Sequence, residues 1–419
     1  MNIAELHLLH LKSSGICTDT RKVQKGNIFF ALKGDNFNGN EFAEKAINLD
    51  CDYAIIDEKE YQINDRFILV EDVLTTLQKL ANFHRKKLSC PVIGITGTNG
   101  KTTTKELIFS VLSTQHKTVA TQGNLNNHIG VPLTLLRTPL DTEILIVEMG
   151  ANHPKEIDFL CQIAQPNFGI ITNIGKAHLE GFGSYDGVIA TKNELYQFIK
   201  HENGILFVNE TDELLHALSK KTDCIYYGKE NAQFKSANPL VTLTFQNANI
   251  QSQLVGAYNY LNIIAACSIG NYFDVTTKNI KTAIENYTPS NNRSQVEKTA
   301  KGNTLILDAY NANPSSMQVA ISSFKEMQGN QKTAILGDML ELGENSIAEH
   351  KSIIKLLEDA NFYRTFLVGK EFAKTESSFP CFENTAKLSA WIEKHPIKGQ
   401  TILLKGSRGI KLESLKEVL

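Results

Sequence analysis

GITGTNGKTTTKE (residues 94–106) has the ingredients of a phosphate-binding loop without its usual spacing. The common pattern, G-x-x-x-x-G-K-[ST], puts four residues between its glycines. Counting back from Gly100-Lys101-Thr102, the first glycine should fall at Ile95; Gly97 instead begins a loop two residues shorter. The apolar run VIGIT precedes the loop, and Leu107/Val111 and Ile108/Leu112 keep i,i+4 spacing after it. The order is therefore strand, loop, helix opening at Lys101. Glycines let backbone N–H groups turn towards an anion, and a helix N-terminus adds partial positive charge. In such a cradle Gly97, Thr98, Asn99 and Gly100 wrap phosphates, and Lys101 reaches the β- and γ-phosphates. The Thr102 hydroxyl holds Mg2+, with Thr103 beside it. A tight turn with a solvated lysine is the plain alternative, and the strand–loop–helix order makes it the weaker one. Alone, the loop identifies nucleotide binding and nothing finer.

Outward from the loop the same rhythm repeats. KTVAT, EILIVEMG, FGIITNI, GILFVN and CIYYG read as strands separated by helical stretches. Such near-continuous β-branched runs predict a mostly parallel sheet covered on both faces. VTLTF and QSQLVG read as a short antiparallel addition before the helix YLNIIAACSIGNYF. Upstream, NIFFAL (27–32), DYAII (52–56) and RFILV (66–70) read as strands and residues 73–88 as a helix. Ser89-Cys90-Pro91 then reads as a linker. Downstream, NYTPSNNRS (286–294) is a second polar joint. Beyond it come TLILDAYNANP, a helix around 316–327, TAILGDM, a helix from about 346, RTFLVG, a helix around 385–394, and TILLKGSRG. The expectation is an α/β protein of three units, 1–88, 89–292 and 293–419. Ligands of doubly wound sheets bind beyond the carboxyl ends of strands. The glycine loop, Glu148 and Lys176-Ala-His178 all follow strands, as do Asp308-Ala-Tyr-Asn311, Gly337-Asp338 and Lys405-Gly-Ser407. That placement predicts a cleft between the second and third units.

Bulk properties agree with this division. A chain of 419 residues exceeds one core, and about 150 residues per domain gives about three. Lys+Arg 43 against Asp+Glu 45 leaves a net charge of −2, so no global field attracts nucleic acid or an anionic membrane. The seven cysteines are scattered and never form C-x-x-C, which reads as reduced thiols in a cytoplasm. MNIAELHLLHLKSSG lacks a basic region followed by an uninterrupted apolar one, so no signal peptide is expected. No apolar run approaches the ~18 residues of a membrane span.

Four further features carry chemistry. Glu148 ends the strand EILIVE, where a second Mg2+-associated acid sits beside a phosphate loop, or where a salt bridge does. His178 lies just past the next strand, able to ligate a metal or merely to cap a loop; together the two make a metal site plausible. Lys192, in the helical stretch VIATKNELYQFI, matters only if buried, since a desolvated lysine stays neutral and can add CO2. In TQGNLNNHIGVP (121–132), Asn126 and Asn127 are placed to bind sugar or pyrophosphate oxygens, or to cap and turn. Arg293 stands at the second joint, facing the cleft or the solvent.

GTNGKTT, TQGNLNNHIGVP, VEMGA, TNIGKAHLEGFGS, ATKNEL, LVGAYNYLN, the Arg293 joint and LDAYNANP together resemble the ATP-dependent Mur ligases of peptidoglycan synthesis. VEMGA, DAYNANPSSM, ILGDMLELG and LLKGSRG are most similar to members acting on UDP-N-acetylmuramoyl-tripeptide and D-alanyl-D-alanine. The resemblance runs from about Thr18 to Arg408. It implies a UDP-sugar domain, a central ATPase domain and a C-terminal Rossmann-like domain, in a cytoplasmic monomer. It also implies transfer of phosphate from ATP to the tripeptide carboxylate, then attack by the dipeptide amine. Thr102, Glu148 and His178 become metal-site residues, and Lys192 matches a lysine the family carboxylates as a further Mg2+ ligand. Asn259 falls beside the adenine and Asp308 at the ribose, while Thr20 and Arg21 match the UDP-recognition segment. Lys405, Ser407 and Asn311 fall near the γ-phosphate or the dipeptide. Tyr258 and Asn193 depart from the family pattern, where His and Gly are common. No D-N-P-R stretch, the mark of the diaminopimelate-adding members, is present. Other amino-acid-adding or folylpolyglutamate-like ligases share much of the pattern. A non-catalytic ATP switch is the alternative of a different class.

Overall fold

The computed structural model describes residues 1–229, 232–289, 292–329 and 331–419. Its central sheet has six parallel strands in the order Asp223–Tyr227, Ile205–Asn209, Phe168–Ile171, Val92–Thr96, Ile144–Glu148, Thr118–Ala120. The order turns about Val92–Thr96: the next two strands in the chain lie to one side of it and the following three to the other. Such a switch point opens a crevice at the carboxyl ends of the strands. The glycine loop therefore emerges between the strand ending at Glu148 and the strand leading to His178. Helix Lys101–Leu112 buries Leu107, Ile108, Val111 and Leu112, the pairs whose spacing predicted it, and packs on helix Asn259–Tyr272.

The antiparallel addition has three strands, not two. Ala232–Ala237 pairs with Leu240–Phe245, which pairs with Ala248–Val255. Its first strand is largely exposed and polar, so it carries no apolar alternation to read.

The C-terminal sheet runs Gln295–Lys298, Thr304–Asp308, Thr401–Lys405, Thr333–Gly337, Arg364–Val368, Cys381–Phe382. All its pairs are parallel except the first, an antiparallel edge that the sequence did not suggest. Register places Asp308 opposite Lys405. Helices Pro314–Glu326, Ser346–Ala360 and Thr385–Lys394 match the expected ones.

The N-terminal sheet is parallel throughout, Ile16–Cys17, Ile28–Phe30, Tyr53–Ile56, Phe67–Leu69. It is preceded by helix Ile3–Lys12, which Asn2 and Glu5 open with a reciprocal capping box. Helix Val73–Arg85 stops short of the expected residue 88. Ser89-Cys90-Pro91 leads from that helix to strand Val92–Thr96 as expected, and it is packed: Leu88 and Cys90 are buried in one core with Leu77, Leu80, Val131, Leu135 and Leu160. Of the second joint, Ser290 and Asn291 lie outside the described residues. Among the described residues no helix is long and apolar enough to cross a membrane. All seven cysteines are unpaired.

Candidate active site

The glycine loop is held from behind by the strand end beyond Phe168–Ile171. Thr98 N–H donates to Asn173 O at 2.9 Å and Asn99 N–H to Asn173 Oδ1 at 3.0 Å. The Thr172 hydroxyl donates to Asn99 O at 2.6 Å. Gly97 (φ +142°) and Gly100 (φ +79°) take conformations that favour glycine. A Cβ on Gly97 would collide with Thr172 Oγ1, and one on Gly100 would lie 2.7 Å from Asn262 Oδ1. The shorter spacing is thus an ordered turn fixed by these contacts. Lys101 Nζ lies folded over it, donating to Gly97 O at 2.6 Å and Thr98 O at 3.1 Å. Burial pulls its pKa down to about 8, and Glu148 partly counters this.

Glu148 is buried at the end of its strand. Thr102 Oγ1 donates to its Oε1 at 3.2 Å and Asn126 Nδ2 donates to the same oxygen at 2.8 Å. Its other oxygen, Oε2, has no partner among the described residues, and an orphaned buried carboxylate oxygen invites a cation. Lys192 is 2 % exposed. Desolvation and the neighbouring Lys101 lower its pKa to about 7, and its Nζ lies 5.5 Å from the centre of the Phe182 ring. His178 Nδ1 lies 2.5 Å from Glu341 Oε2, a residue of the C-terminal domain.

The C-terminal domain supplies the opposite wall. Lys405 Nζ meets Asp308 Oδ2 at 2.7 Å, as their register requires, and approaches Asn311 O at 3.4 Å. Arg293 stacks on Tyr310, its guanidinium carbon 3.8 Å from the ring centre, and its buried Nε has no partner among the described residues. Asn99 of the glycine loop reaches across, donating to Ser315 Oγ at 3.0 Å and accepting from Asn313 Nδ2 at 2.9 Å. Between the walls lies a cavity of about 750 Å³ lined by Lys101, Thr102, Glu148, His178, Arg293, Asp308 and Lys405, among others. The expected cleft is present.

This cavity brings the glycine loop and its acid face to face with polar and charged side chains of a second domain. Three family descriptions match the chain in order: "Mur ligase family, catalytic domain" over 12–85, "Mur ligase middle domain" over 95–270, and "Mur ligase, glutamate ligase domain" over 292–408. The UDP-N-acetylmuramoyl-tripeptide–D-alanyl-D-alanine ligase of Bacillus subtilis is 35% identical, over 96% of this chain and 92% of that one. The chain belongs to the Mur ligase family. The Escherichia coli ligase of the same name is 31% identical over 99% of this chain and 95% of its own. The crystal structure of the MurF ligase of Thermotoga maritima in complex with ADP superposes with a TM-score of 0.85. It shares 28% identity and covers 98% of this chain and 97% of its own. This Mur ligase therefore has the three-domain fold and is an ATP-dependent ligase.

Most residues singled out from the sequence converge on the cavity of this Mur ligase. Thr98, Asn99, Gly100, Thr103, Asn126, Asn127, Asn259 and Asn311 line it as well. Asn127 also caps the following turn, its Oδ1 accepting from Gly130 N–H at 2.9 Å. Asn259 is buried, donating to Val255 O at 2.7 Å and to Ser294 Oγ at 3.0 Å. Tyr258, the departure from the family pattern, places its hydroxyl 2.9 Å from the same Ser294 Oγ. Gly97, Lys192 and Ser407 do not line the cavity; the Ser407 hydroxyl accepts Leu340 N–H at 3.1 Å. Thr20 and Arg21 also stand outside it, in the N-terminal domain, with Arg21 Nη2 on Asp19 Oδ2 at 2.8 Å. Asn173, Tyr310, Asn313 and Glu341 were missed. Each follows a strand, but a polar residue after a strand is too common a pattern to single them out.

Among the described residues no three His, Cys, Asp or Glu side chains gather as a ready metal cage. Mg2+ takes one or two carboxylates and completes its shell with water and substrate phosphate oxygens. The unpartnered Glu148 Oε2 beside the Thr102 hydroxyl fits such an ion.

Proposed function

We propose that the chain joins D-alanyl-D-alanine to the terminal carboxylate of UDP-N-acetylmuramoyl-tripeptide, coupled to cleavage of ATP into ADP and phosphate. The observation that carries this is the two-walled cavity, phosphate loop facing the Asp308–Lys405 pair, in a chain that follows ligases of that name along its whole length. A carboxylate is a poor electrophile until one of its oxygens becomes a leaving group. The tripeptide carboxylate attacks the γ-phosphorus, ADP departs, and an acyl phosphate forms. The dipeptide amine then attacks the acyl carbon, phosphate departs with the C–O bond, and the nitrogen sheds a proton as the amide forms.

Two anions must first approach one another. Lys101 and Arg293 offset that repulsion and stabilise charge as it develops on the transferred group. Thr102, Glu148, His178 and a carbamate on Lys192 would hold Mg2+, which when bound neutralises phosphate charge. The Lys192 amine is suited to this because burial favours its neutral form, which adds CO2 and loses a proton. Asn259 serves the adenine and Asp308 the ribose; Asn126 and Asn127 serve the sugar-pyrophosphate. Asn311, Lys405 and Ser407 serve the γ-phosphate end and the dipeptide. Residues 1–88, through Thr20 and Arg21, take the uridine end, 89–292 the ATP, and 293–419 the dipeptide. The enzyme works as a monomer in the cytoplasm, a reducing compartment in keeping with its unpaired thiols.

A phosphate-release assay tests the function. Release should require both UDP-N-acetylmuramoyl-tripeptide and D-alanyl-D-alanine. Release that stays flat when the two are added together overturns it in favour of an ATP-binding switch.

A further inference from the structure

His178 and Glu341 share an unusual backbone state: both are non-glycine residues in the left-handed region, at φ +50° and +62°. Such conformations persist where the surroundings over-determine them, and they gather at functional sites. His178 opens the short helix Leu179–Phe182, and Glu341 lies in the loop between strand Thr333–Gly337 and helix Ser346–Ala360. The two strained loops meet at one contact, His178 Nδ1 to Glu341 Oε2 at 2.5 Å. A second pair, Lys176 Nζ to Glu349 Oε1 at 3.2 Å, ties the stretch before His178 to helix Ser346–Ala360 without touching His178. The imidazole lines the cavity, and no hydrogen bond engages its Nε2 among the described residues.

An imidazole that donates Nδ1–H to a carboxylate has its tautomer and ring orientation set, with Nε2 left as its acceptor atom. We propose that Glu341 is a positioning residue, which holds His178 across the domain joint and so prepares Nε2 as a metal ligand only when the C-terminal domain is docked. This rests on the proposed role of His178 at the Mg2+ site. Metal-site assembly is thereby tied to contact with the domain that brings the second substrate. The Lys176–Glu349 pair is a tether without that consequence, which makes it the natural control.

Histidine side-chain nitrogen NMR of the metal-free, full-length protein tests the positioning step, with His178→Gln assigning the signal. The Nδ1–H tautomer should dominate in the unmodified chain and in Glu341→Gln, whose amide oxygen still accepts. It should give way to a mixture in Glu341→Ala and persist in Glu349→Ala. Alanine keeps a Cβ at φ +62°, so the backbone preference is unchanged, and Trp391 fluorescence checks folding. Mn2+ binding in the presence of ADP, followed by electron paramagnetic resonance, should weaken about 10-fold in Glu341→Ala and less than about twofold in Glu349→Ala. An unchanged tautomer in Glu341→Ala, or equal weakening in both alanine variants, overturns the inference. Unchanged Mn2+ binding in His178→Gln overturns the metal role of His178 and the inference with it, whatever the tautomer shows.

Discussion

The two joints of this molecule are built from opposite materials. Between the N-terminal and central domains the contact is a shared apolar core. Helix Val73–Arg85 packs on Gly130–Leu136 and Glu156–Ala164, and one cluster runs from Leu6 and Phe30 through Leu77 and Leu80 to Val131 and Leu160. Arg85 locks it by donating to Ala164 O and Gln165 O, each at 2.9 Å. Between the central and C-terminal domains the contact is mainly polar: Asn99 with Asn313 and Ser315, His178 with Glu341, Lys176 with Glu349. Val255 is a buried apolar residue that joins the C-terminal core from the central side. Apolar contact is lost outright when surfaces part, whereas polar partners can exchange for water at little net cost. The proposed chemistry lies at the joint whose contacts can exchange for water.

The largest effect expected is on turnover alone. Lys192→Ala should lower kcat by at least ~10²-fold while leaving the thermal midpoint within a few degrees. A short carboxylic acid added to the variant should restore part of the activity without bicarbonate. Full activity in the unrescued variant removes Lys192 from the mechanism.

At the apolar joint the effects should be on stability alone. Leu77→Ala should cost ~2–5 kcal/mol through the cavity it leaves. The single tryptophan, Trp391, belongs to the C-terminal domain, stacked on His395 at 4.4 Å. The far-UV circular dichroism transition of Leu77→Ala should therefore move to lower urea while the Trp391 fluorescence transition stays. If both move together, the polar joint transmits stability as the apolar one does, and the contrast fails.

Acid should act on the apolar joint as well. His7 Nε2 lies 2.9 Å from His84 Nδ1, whose Nε2 reaches Thr138 O of the central domain at 2.8 Å. Burial, His84 and His7 lower the His10 pKa to about 4. Burial also lowers His7 and His84, and His84 and Lys87 add to the effect on His7. The unfolded chain binds these protons first, so the stability present above pH 6.5 is lost as pH falls towards 4. For His10 alone the loss is roughly 3 kcal/mol. Denaturation by circular dichroism at pH 7 and pH 4.5 should show it, and His10→Leu should flatten the dependence. A variant as acid-sensitive as the parent removes His10 as the cause.

The smallest effect belongs to the exposed pair at the polar joint. Lys176→Ala should change the Trp391 transition by less than about 1 kcal/mol. A larger loss would mean that the ion pair holds the domain in place.

Recurring local pattern was enough for much of this protein. The parallel strands announced themselves as apolar runs, and the glycine loop, Glu148 and His178 could be placed together because ligands collect beyond strand ends. Strands Ala232–Ala237 and Gln295–Lys298, which lack apolar periodicity, escaped, as did the capped helix Ile3–Lys12, whose apolar face is blurred by buried His7 and His10 and exposed Leu8 and Leu11. That the connection at Ser89–Pro91 is buried could not be read from its composition, which is that of a loop, because its burial depends on a helix packed against it from the other domain. The same reason governs the site. Residue type and spacing are local, so they name a phosphate cradle and its acid. Whether Lys192 is desolvated, whether Glu148 Oε2 lacks a partner, and which carboxylate meets His178 depend on atoms far away in the chain. Burial and pairing across a joint exist only once the domains have packed.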